Sequence, residues 1–471
     1  MTHDLVVIGA GPAGMAAAIA GAELGLNVAV LEEQRLPGGQ IYRNIEKVGP
    51  ELSTILGPDY VRGRDLAGAF VASSCEKFLG ATVWDVAPDL TVTALHRGRS
   101  LQIKSAQLIV ATGAMERASP FPGWTLPGVL NAGAAQIALK SGGSVPSGRI
   151  VLIGGGPLLL LVACQLLSAG ATITGIVETS PRGNVIGAVP FLPGALLAPK
   201  MLLKGLGMMR CIRQAGIPWY SAASDLLIEG TDRVNAVSFK EGSRGRRLEA
   251  DTVLLHHGVV PNTQISRLLR VDHDWNSRQQ AWHPRRDESC QTSLSGLRVA
   301  GDGGGIAGAV AAELEGRLAA IGAAHALGRL SASQRDQRVY PLRRALRAQH
   351  RIRPFLDMLY RPPGWITAPA GETIVCRCEE VTAGEIAQTT QLGSLGPNQT
   401  KFFSRCGMGP CQGRICGLPV TGIMARELGR SPADIGAYHI RAPLKPIPLA
   451  SMALLEPFHT PHMQVTQQTA E

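Results

Sequence analysis

Five cysteines crowd into one short stretch near the end of the chain, where their spacing could hold a metal. Cys376 and Cys378 form a CxC pair, and Cys411 and Cys416 form a Cx4C pair. Thiolates repel one another, so two such pairs can converge only around a cationic core with N–H donors from loops and helix starts. Structural zinc sites usually use CxxC pairs, and zinc is the chief alternative metal. Incidental cysteines are a weak explanation for five in so short a window.

A glycine-rich turn near the start of the chain could hold a nucleotide diphosphate. Gly9, Gly11 and Gly14 stand in a GxGxxG pattern. The first permits a tight turn, the second lets the backbone approach a pyrophosphate, and the third lets the next helix pack on the strand. The helix N-terminus offers free N–H groups to the phosphates. Glu32 follows the next strand, where its carboxylate can accept hydrogen bonds from ribose hydroxyls and would repel a 2′-phosphate.

Regular elements must hold both groups of residues in place. Leu5–Ile8 predicts a strand before the glycine turn, an Ala-rich helix follows, and Val28–Leu31 predicts a second strand. In the cysteine region, Thr382 and Glu385 predict a helix start through a capping box, and a second helix is expected from about residue 414 to 428. A strand, turn, helix, strand and acid in register indicate a dinucleotide site far more specifically than a lone GxGxxG does.

A second strand–turn–helix pattern begins at Ile150 and contains Gly154-Gly155-Gly156-Pro157. Leu159 stands where the third glycine would be, so a bulky side chain lies where helix and strand should pack closely. Glu178 ends the following strand. We expect the fold to be retained and the site to be altered. Occupation by NAD, by an ATP-like nucleotide or by nothing stays open, and NADP is least expected because no Arg follows the strand.

The composition fits a globular α/β chain, and 471 residues allow about three domains. Hydrophobic residues make up 45% and charged residues 17%, which excludes a disordered chain. Glycine is in excess, at 56 residues, without the period of collagen, which favours many strand-to-helix turns. A net charge of +10 and the basic run at 335–361 would suit nucleic acid. We favour instead a helical linker, and we expect no nucleic-acid binding.

Patterns of secretion and of membrane insertion are weak. Nine cysteines, an odd number in a long chain, argue against a disulfide scaffold, and the scattered ones fit a reducing compartment. The first strand has no basic region before it, which disfavours a signal peptide. The uncharged stretch 150–177 is long enough to span a bilayer, but its glycine turn favours a buried strand, helix and strand.

Three further segments resemble those of flavoproteins with two dinucleotide-binding domains. They are Pro37-Gly38-Gly39-Gln40, LIVATG at 108–113 and LRVAGD at 297–302. In that family the Ala-Thr-Gly turn ends a strand, and the Gly-Asp pair contacts the ribityl-phosphate part of the flavin. The resemblance implies an FAD site formed by Gly9, Gly11, Pro12, Ala13, Gly14, Glu32, Glu33, Gly39, Gln40, Thr112, Gly113, Gly301 and Asp302. Residues 1–74 contain no cysteine, so thiol–disulfide chemistry at the flavin is not expected.

The stretch DTVLLHHGVVPN at 251–262 resembles the return strand of the same flavoproteins. It implies an α/β fold with two Rossmann-like dinucleotide-binding domains, the second inserted in the first. His256 and His257 suggest catalysis, but no base partner is visible, so we favour packing or a place beside the flavin, and no catalytic residue is assigned. The predicted parts are an FAD-binding domain at 1–120 and 256–335, an inserted NAD(P)-binding-like domain at 121–255, a basic linker at 336–370, a cysteine domain at 371–430 and a Pro-rich tail at 431–471.

The segments CRCEEVTAGEI at 376–386 and RCGMGPCQGRIC at 405–416 resemble the small bacterioferritin-associated-ferredoxin-like [2Fe-2S] domain. The resemblance maps the cluster ligands onto Cys376, Cys378, Cys411 and Cys416, and it leaves Cys406 as the spare. Ligand type and spacing then favour an iron–sulfur cluster over zinc.

The order of these parts resembles, over nearly the whole chain, the α (A) subunits of opine oxidases, D-hydroxyproline dehydrogenases and dye-linked proline dehydrogenases. The HcnB-type chain of hydrogen cyanide synthase is a more distant relative. PGGQIYR at 37–43 and GVVPN at 258–262 add to this resemblance. In those systems a β subunit, itself an FAD amine oxidase, removes hydride from a C–N bond. The resemblance implies such a β subunit, a small ferredoxin-like subunit and a downstream electron acceptor as partners.

Three functions follow from this sequence. The favoured one is an electron-transfer subunit with FAD and a [2Fe-2S] cluster, in a heteromeric dehydrogenase or oxidase acting on a C–N bond of an opine, hydroxyproline, proline or other amino acid. The alternatives are a self-contained NAD(P)H-dependent flavin–iron–sulfur reductase and a non-catalytic nucleotide-binding structural subunit. We expect a cytoplasmic location, with a peripheral position at the inner membrane through the electron acceptor as the alternative.

Overall fold

The computed structural model describes residues 2–453 and residue 455. The end of the predicted Pro-rich tail, residues 456–471, lies outside the described residues. The strands are β1 (Thr2–Ile8), β2 (Val28–Glu32), β3 (Glu76–Leu79), β4 (Thr82–Val86), β5 (Val92–His96), β6 (Arg99–Val110), β7 (Ala114–Glu116), β8 (Val129–Asn131), β9 (Arg149–Gly154), β10 (Thr172–Glu178), β11 (Trp219–Tyr220), β12 (Ala223–Gly230), β13 (Val234–Glu241), β14 (Arg244–Glu249), β15 (Thr252–His256), β16 (Val259–Pro261), β17 (His273–Asn276), β18 (Ala281–Pro284), β19 (Leu297–Val299), β20 (Ile374–Cys376) and β21 (Val381–Thr382).

The α-helices are α1 (Pro12–Glu23), α2 (Pro50–Leu56), α3 (Pro58–Val61), α4 (Gly63–Ala72), α5 (Ala132–Gly142), α6 (Pro157–Ser168), α7 (Gly183–Ala188), α8 (Leu192–Leu196), α9 (Pro199–Gln214), α10 (Gln264–Leu268), α11 (Ala309–Ala326), α12 (Ala332–His350), α13 (Arg353–Leu359), α14 (Gly364–Thr367), α15 (Ala383–Gln391), α16 (Pro397–Ser404), α17 (Gly417–Leu428), α18 (Pro432–Ile435) and α19 (Leu449–Ala453). Within the described ranges, none of these helices combines the length and the apolar character that a bilayer-spanning segment requires.

The first sheet has the order β3-β2-β1-β6-β5-β4, with β19 also paired to β6. β1 pairs in parallel with β2 and β6, whereas β4, β5 and β6 pair antiparallel. Helices α1 and α11 pack against each other over one face of this sheet. Gly316 permits the close approach, because a Cβ there would lie 2.0 Å from the carbonyl oxygen of Ala13. The strand, helix and strand predicted between residues 5 and 31 are confirmed as β1, α1 and β2.

The second sheet is parallel throughout, in the order β11-β10-β9-β15-β8. The uncharged stretch at 150–177 folds as β9, α6 and β10, as the glycine turn predicts. Leu159 is buried in the apolar core beside this sheet. An antiparallel sheet, β12-β13-β14, follows β11 along the chain. Short strands β7 and β16 pair antiparallel where the chain passes between the first and second sheets.

The cysteine region forms a small unit of the β20–β21 hairpin and helices α15, α16 and α17. Thr382 and Glu385 form both hydrogen bonds of the predicted capping box at the start of α15. Helix α17 begins at Gly417, a few residues later than expected, and ends at Leu428 as expected. The apolar residues of this unit join the core on the second face of the first sheet. The basic run at 335–361 falls largely in α12 and α13.

Candidate dinucleotide site and cysteine centre

A large cavity of about 1350 Å³ is lined by the carboxyl-end turns of both parallel sheets. Its wall includes the first glycine turn at Gly11 and the second at Gly156. The strand ends at Thr112 and Asp302 also line it. Ligand pockets in proteins commonly enclose about 300–1,000 Å³, so this cavity has room for an extended dinucleotide and for a further small group. The sequence-predicted dinucleotide residues therefore meet around one space.

The first glycine turn has the close backbone approaches that its spacing predicts. Gly9 has a φ of +100°, and a Cβ there would lie 2.6 Å from the carbonyl oxygen of Ala111. A Cβ on Gly14 would lie 1.8 Å from the carbonyl oxygen of Gly9. Gly11 faces open space, with only the Cα of Gly39 near its missing Cβ, at 3.8 Å. Gly11 therefore leaves the N-terminus of α1 accessible from the cavity.

Two adjacent acids after β2 have different surroundings. Glu32 is buried, and its two carboxylate oxygens accept hydrogen bonds from the N–H groups of Ala10 at 2.6 Å and Gln34 at 2.8 Å. These bonds fix the carboxylate at the strand end, in the cavity wall. Glu33 also lines the cavity, but its side chain is paired with Lys445. Of the two acids, Glu32 is thus the one fixed in position by the main chain.

The strand ends opposite the glycine turn supply polar groups to the same cavity. The Thr112 hydroxyl is buried and has no hydrogen-bond partner within the described part of the chain. Gly113 has a φ of +65°, and its carbonyl oxygen accepts a hydrogen bond from the N–H of Asn262. One Asp302 carboxylate oxygen accepts from the N–H groups of Ala307 at 2.8 Å and Gly308 at 3.0 Å. An unpartnered Thr112 hydroxyl and a fixed Asp302 carboxylate fit a ligand that carries both acceptors and hydroxyls.

A buried ion pair that the sequence does not reveal positions Gly301. Arg286 donates two hydrogen bonds to Glu315, at 2.6 Å and 3.0 Å, and both side chains are buried. The Glu315 carboxylate also accepts from the N–H of Gly301 at 2.8 Å. A Cβ on Gly301 would lie 2.9 Å from the Cβ of Ala13. This pair therefore holds the Gly301 turn against the start of α1.

Lys140 is a second residue of the cavity wall that sequence reasoning missed. Its ammonium donates to the carbonyl oxygen of Gln40 at 3.1 Å and to the Gln136 side chain at 3.0 Å, and it lies 5.8 Å from the centre of the Tyr60 ring. Burial and, after it, the charge of Arg43 lower the pKa of Lys140 to about 7. Neither cation pairs with a carboxylate among the described residues. An anionic ligand would offset this charge.

The two adjacent histidines differ in their surroundings. Both ring nitrogens of His257 lie within hydrogen-bond distance of hydroxyls, those of Ser119 at 2.8 Å and Thr179 at 3.0 Å. Burial lowers the pKa of His257 to about 3, so this ring is a neutral packing residue. His256 lines the cavity and has an acidic partner, Glu116, at 2.8 Å from Nδ1. Because 140 positions separate the two residues, no local pattern could have indicated the pair.

The second glycine turn is more crowded than the first. A Cβ on Gly155 would lie 2.8 Å from the Ser180 hydroxyl and 3.4 Å from Cδ1 of Tyr360. Glu178, the acid that ends β10, accepts a hydrogen bond from the Trp219 ring N–H at 3.3 Å. Tyr360 comes from the segment directly after α13. Side chains of this chain thus occupy part of the space over the second turn.

The five cysteine sulfurs separate into a group of three and a pair. Cys376, Cys406 and Cys416 are buried and place their sulfurs within 4.8 Å of one another. Cys378 and Cys411 contact each other through their thiols, and Cys378 is exposed. Each of the four predicted ligands therefore has a predicted ligand beside it, and Cys406 lies with the buried two.

The buried sulfurs have the donor chemistry of a thiolate metal centre. Hydrogen bonds from the Cys406 and Cys416 thiols, and then from the N–H groups of Gly407 and Glu379, lower the pKa of Cys376 to about 2. Loops that direct N–H groups at thiolates are typical of iron–sulfur sites. The arrangement therefore fits a cationic core, which the thiolates and N–H groups would surround.

The cysteine unit also borders the large cavity. Arg414 and Ile415, which lie between Cys411 and Cys416 in the sequence, line the same cavity as Glu32. The unit is attached to the body by a hydrogen bond from the Trp124 ring N–H to the carbonyl oxygen of Ile374, at 2.7 Å. The dinucleotide site and the cysteine centre are therefore neighbours.

Comparison with known families divides the chain in the same way. Residues 3–316 match the family model described as pyridine nucleotide-disulphide oxidoreductase. Residues 370–454 match the model described as the sarcosine oxidase A3 domain.

Comparison with individual proteins gives full-length similarities. The chain is 45% identical to the opine oxidase A subunit of Agrobacterium tumefaciens (strain Ach5), over 98% of this chain and 92% of the relative. It is 33% identical to the HcnB subunit of hydrogen cyanide synthase from Pseudomonas protegens, over 96% of this chain and 97% of the relative. A solved structure, L-proline dehydrogenase from P. horikoshii, has the same fold with a TM-score of 0.71, at 18% identity over 96% of this chain and 79% of that one.

Proposed function

Because the chain belongs to the pyridine nucleotide-disulphide oxidoreductase family and to the group of opine oxidase A subunits, we propose that it is the electron-transfer subunit of a heteromeric dehydrogenase or oxidase. Its family makes it a flavin-dependent oxidoreductase, and the resemblance to opine oxidase A subunits that its motifs predict is confirmed. The proposed substrate is an opine, hydroxyproline, proline or other amino acid, oxidised at a C–N bond. The name of these opine oxidase relatives supports this substrate class.

In this proposal the first glycine turn binds FAD. The turn Gly9–Gly14 surrounds the diphosphate with backbone N–H groups at the start of α1, and Glu32 accepts hydrogen bonds from the adenosine ribose. Gly39 and Gln40 cover the turn, and the hydroxyl of Thr112 is free to bond the flavin part. These roles are supported by the positions of the residues in one cavity wall and by the unpartnered Thr112 hydroxyl.

Residues on the opposite strand end complete the proposed FAD site. Gly113 and Gly301 bring the backbone close to the ligand, and the Asp302 carboxylate accepts hydrogen bonds from ribityl hydroxyls. The N-terminus of α11, which Asp302 already contacts through Ala307 and Gly308, offsets the charge of that carboxylate. Glu33 has the weakest support, since its side chain is paired with Lys445.

The proposed iron–sulfur ligands are Cys376, Cys378, Cys411 and Cys416. Cys376 and Cys416 would bind one iron of a [2Fe-2S] cluster, and Cys378 and Cys411 would bind the other. The contacts within each pair support this division. When bound, FAD takes up two electrons and the cluster passes electrons on singly. The protein contributes the thiolates, the N–H donors and the separation of the two groups.

The observation that carries the electron-transfer role is the shared wall. Arg414 and Ile415 belong to the loop between two proposed cluster ligands, and they line the proposed FAD cavity. A flavin in that cavity and a cluster in that loop would need no rearrangement of the chain to exchange electrons. The crowding of the second turn by Tyr360 and Ser180 gives no support to NADH as the electron source.

A partner subunit is the proposed source of electrons, and helices α7–α9 present a surface for it. This surface is apolar and exposed, through Val185, Ile186, Val189, Leu192, Leu196, Leu197, Met201, Leu203 and Leu206. An exposed apolar patch of this size on a globular protein usually marks an interface. No Asp or Glu occurs between Glu178 and Asp225, whereas five Arg and Lys residues do. The partner that fits is therefore an oxidase-like subunit with an apolar, acid-bordered face.

Purification and reconstitution of the full chain test this proposal. The chain is incubated anaerobically with FAD, iron and sulfide, and then desalted. We expect flavin absorption bands, two irons and two sulfides per chain, and an iron–sulfur signal that appears on reduction with dithionite. A colourless, metal-free chain would contradict the proposal and leave only the structural-subunit alternative.

A further inference from the structure

Cys406 and Tyr438 lie together beside the cysteine centre, and the proposed ligand set uses neither. Cys406 is 0% exposed and Tyr438 is 3% exposed. The Cys406 sulfur lies within 4.8 Å of the sulfurs of Cys376 and Cys416. The Tyr438 hydroxyl is buried and has no hydrogen-bond partner in the ranges that the structure describes.

Two glycines fix the Tyr438 ring against the cysteine loop. A Cβ on Gly407, the residue after Cys406, would lie 2.7 Å from the ring carbon that bears the hydroxyl, and a Cβ on Gly413 would lie 2.5 Å from Cδ2. The ammonium of Lys401 lies 4.5 Å from the ring centre of this tyrosine. The hydroxyl end of the ring is therefore held next to Cys406, where a side chain in place of either glycine would displace it.

From this geometry we propose that Cys406 is a hydrogen-bond donor to the sulfur of Cys376 rather than a cluster ligand, and that the Tyr438 hydroxyl orients it by donating to the Cys406 sulfur. This inference rests on the proposed [2Fe-2S] cluster. Each iron in such a cluster binds two bridging sulfides and two protein ligands. Two cysteine pairs fill every position, so a fifth sulfur has no iron to bind and keeps its proton.

The expected consequence is a higher reduction potential. The cluster gains negative charge on reduction, and hydrogen bonds to ligand sulfurs stabilise that charge. Loss of the Cys406 donor should shift the potential to a lower value. Loss of the Tyr438 hydroxyl alone should cause a smaller shift in the same direction, since Cys406 would still be present but less well oriented. Both are positioning residues for the cluster.

The test uses the reconstituted full chain and its Cys406→Ala and Tyr438→Phe variants. Iron content is determined chemically, and the potential is measured by a titration followed by electron paramagnetic resonance. We expect all chains to hold two irons, with the lowest potential in Cys406→Ala and an intermediate one in Tyr438→Phe. Tyr340→Phe is the matched control, because Tyr340 is 71% exposed on α12, and it should keep the wild-type potential.

Different results overturn different claims. Loss of iron from a folded Cys406→Ala chain, or an altered resonance like that of Cys411→Ser, would make Cys406 a ligand. An intact cluster with an unchanged potential in both variants would overturn the hydrogen bonds. If Cys406→Ala does not fold, electron–nuclear double resonance of the reduced wild-type cluster decides: an exchangeable proton coupled to it supports the inference, and its absence overturns it. A wild-type chain without any cluster would overturn the proposed function as well.

Discussion

The Lys140 ammonium donates a hydrogen bond to the main-chain carbonyl oxygen of Gln40 at 3.1 Å. This contact joins helix α5 to the loop that covers the first glycine turn. The same ammonium is buried and has no carboxylate partner among the described residues. The cavity therefore has a fixed basic group at its wall, placed to respond to an anionic ligand.

Binding of FAD to the apo-protein should take up a proton near pH 8. Burial lowers the pKa of Lys140 from 10.5 to about 7, so most of its side chains are neutral at pH 8, and a nearby anion would restore the charge. Calorimetry in two buffers of different ionisation enthalpy measures the uptake. Lys140→Met should bind FAD without it, whereas Lys200→Met, at an exposed position, should behave as wild type. Equal uptake by wild type and Lys140→Met would contradict the assignment.

The same lowered pKa predicts how the stability of the apo-protein changes with pH. Between pH 7 and 10.5 the unfolded chain binds the Lys140 proton and the folded chain does not. The free energy of unfolding, measured by denaturant titration, therefore rises with pH across this window, relative to Lys140→Met. Below pH 7 both states bind the proton, and the difference between the two proteins should stay constant. A difference that does not change between pH 7 and 10.5 would contradict the lowered pKa.

Substitution of Gly14 by alanine should abolish FAD binding. The new Cβ would lie 1.8 Å from the carbonyl oxygen of Gly9, so the turn and the start of α1 must separate. Gly68→Ala is the control, because Gly68 lies inside α4 with no atom within 4 Å of its Cβ position, and alanine there should stabilise the helix by about 0.5–1 kcal/mol. The flavin-to-protein absorbance ratio reports binding. Normal flavin content in Gly14→Ala would refute the placement of the site.

Removal of Arg286 should destabilise the protein strongly. Arg286→Met leaves the buried Glu315 carboxylate without its partner, and such losses cost about 3–5 kcal/mol. We expect a clearly lower Tm and weaker FAD retention, because Glu315 also holds the N–H of Gly301 at 2.8 Å. The double variant Arg286→Met with Glu315→Leu removes the unpaired charge and should recover part of the Tm. A double variant no more stable than Arg286→Met would show that the unpaired charge is not the cause.

Charged substitutions on α9 should weaken subunit association. Leu203 and Leu206 are 66% and 62% exposed, so Leu203→Glu with Leu206→Glu should leave the fold intact and place acids where the partner is expected to be acidic. Co-purification of the partner with a tagged chain measures the effect. Val71→Glu, at a 55% exposed apolar position on α4, is the matched control and should retain the partner. Full retention by the double variant would exclude this surface as the interface.

Features carried by one continuous segment were predictable from the sequence. The first glycine turn, the strand–helix–strand at residues 150–177 and the capping box at Thr382 and Glu385 all depend on spacing within a few turns of chain. Residue type and periodicity fix such local choices. The structure agrees with them closely, apart from shifts of a few residues at element ends.

Features made by distant residues were not predictable. Glu116 meets His256 across 140 positions, and Lys140 has the pattern of an ordinary helix lysine until packing buries it. The presence of Cys406 beside Cys376 likewise depends on how the loop before Cys411 turns. Such contacts follow from tertiary packing, which a single sequence does not encode as a local pattern.

Rapid anaerobic mixing tests the central claim most directly. The heteromer purified with its partner is mixed with an opine or amino-acid substrate, and the isolated chain is mixed with NADH, while flavin and cluster absorbance are recorded. The account predicts that substrate reduces the flavin and the cluster of this chain only when the partner is present, and that NADH leaves both oxidised. Rapid bleaching of the isolated chain by NADH would contradict it and would identify a self-contained reductase.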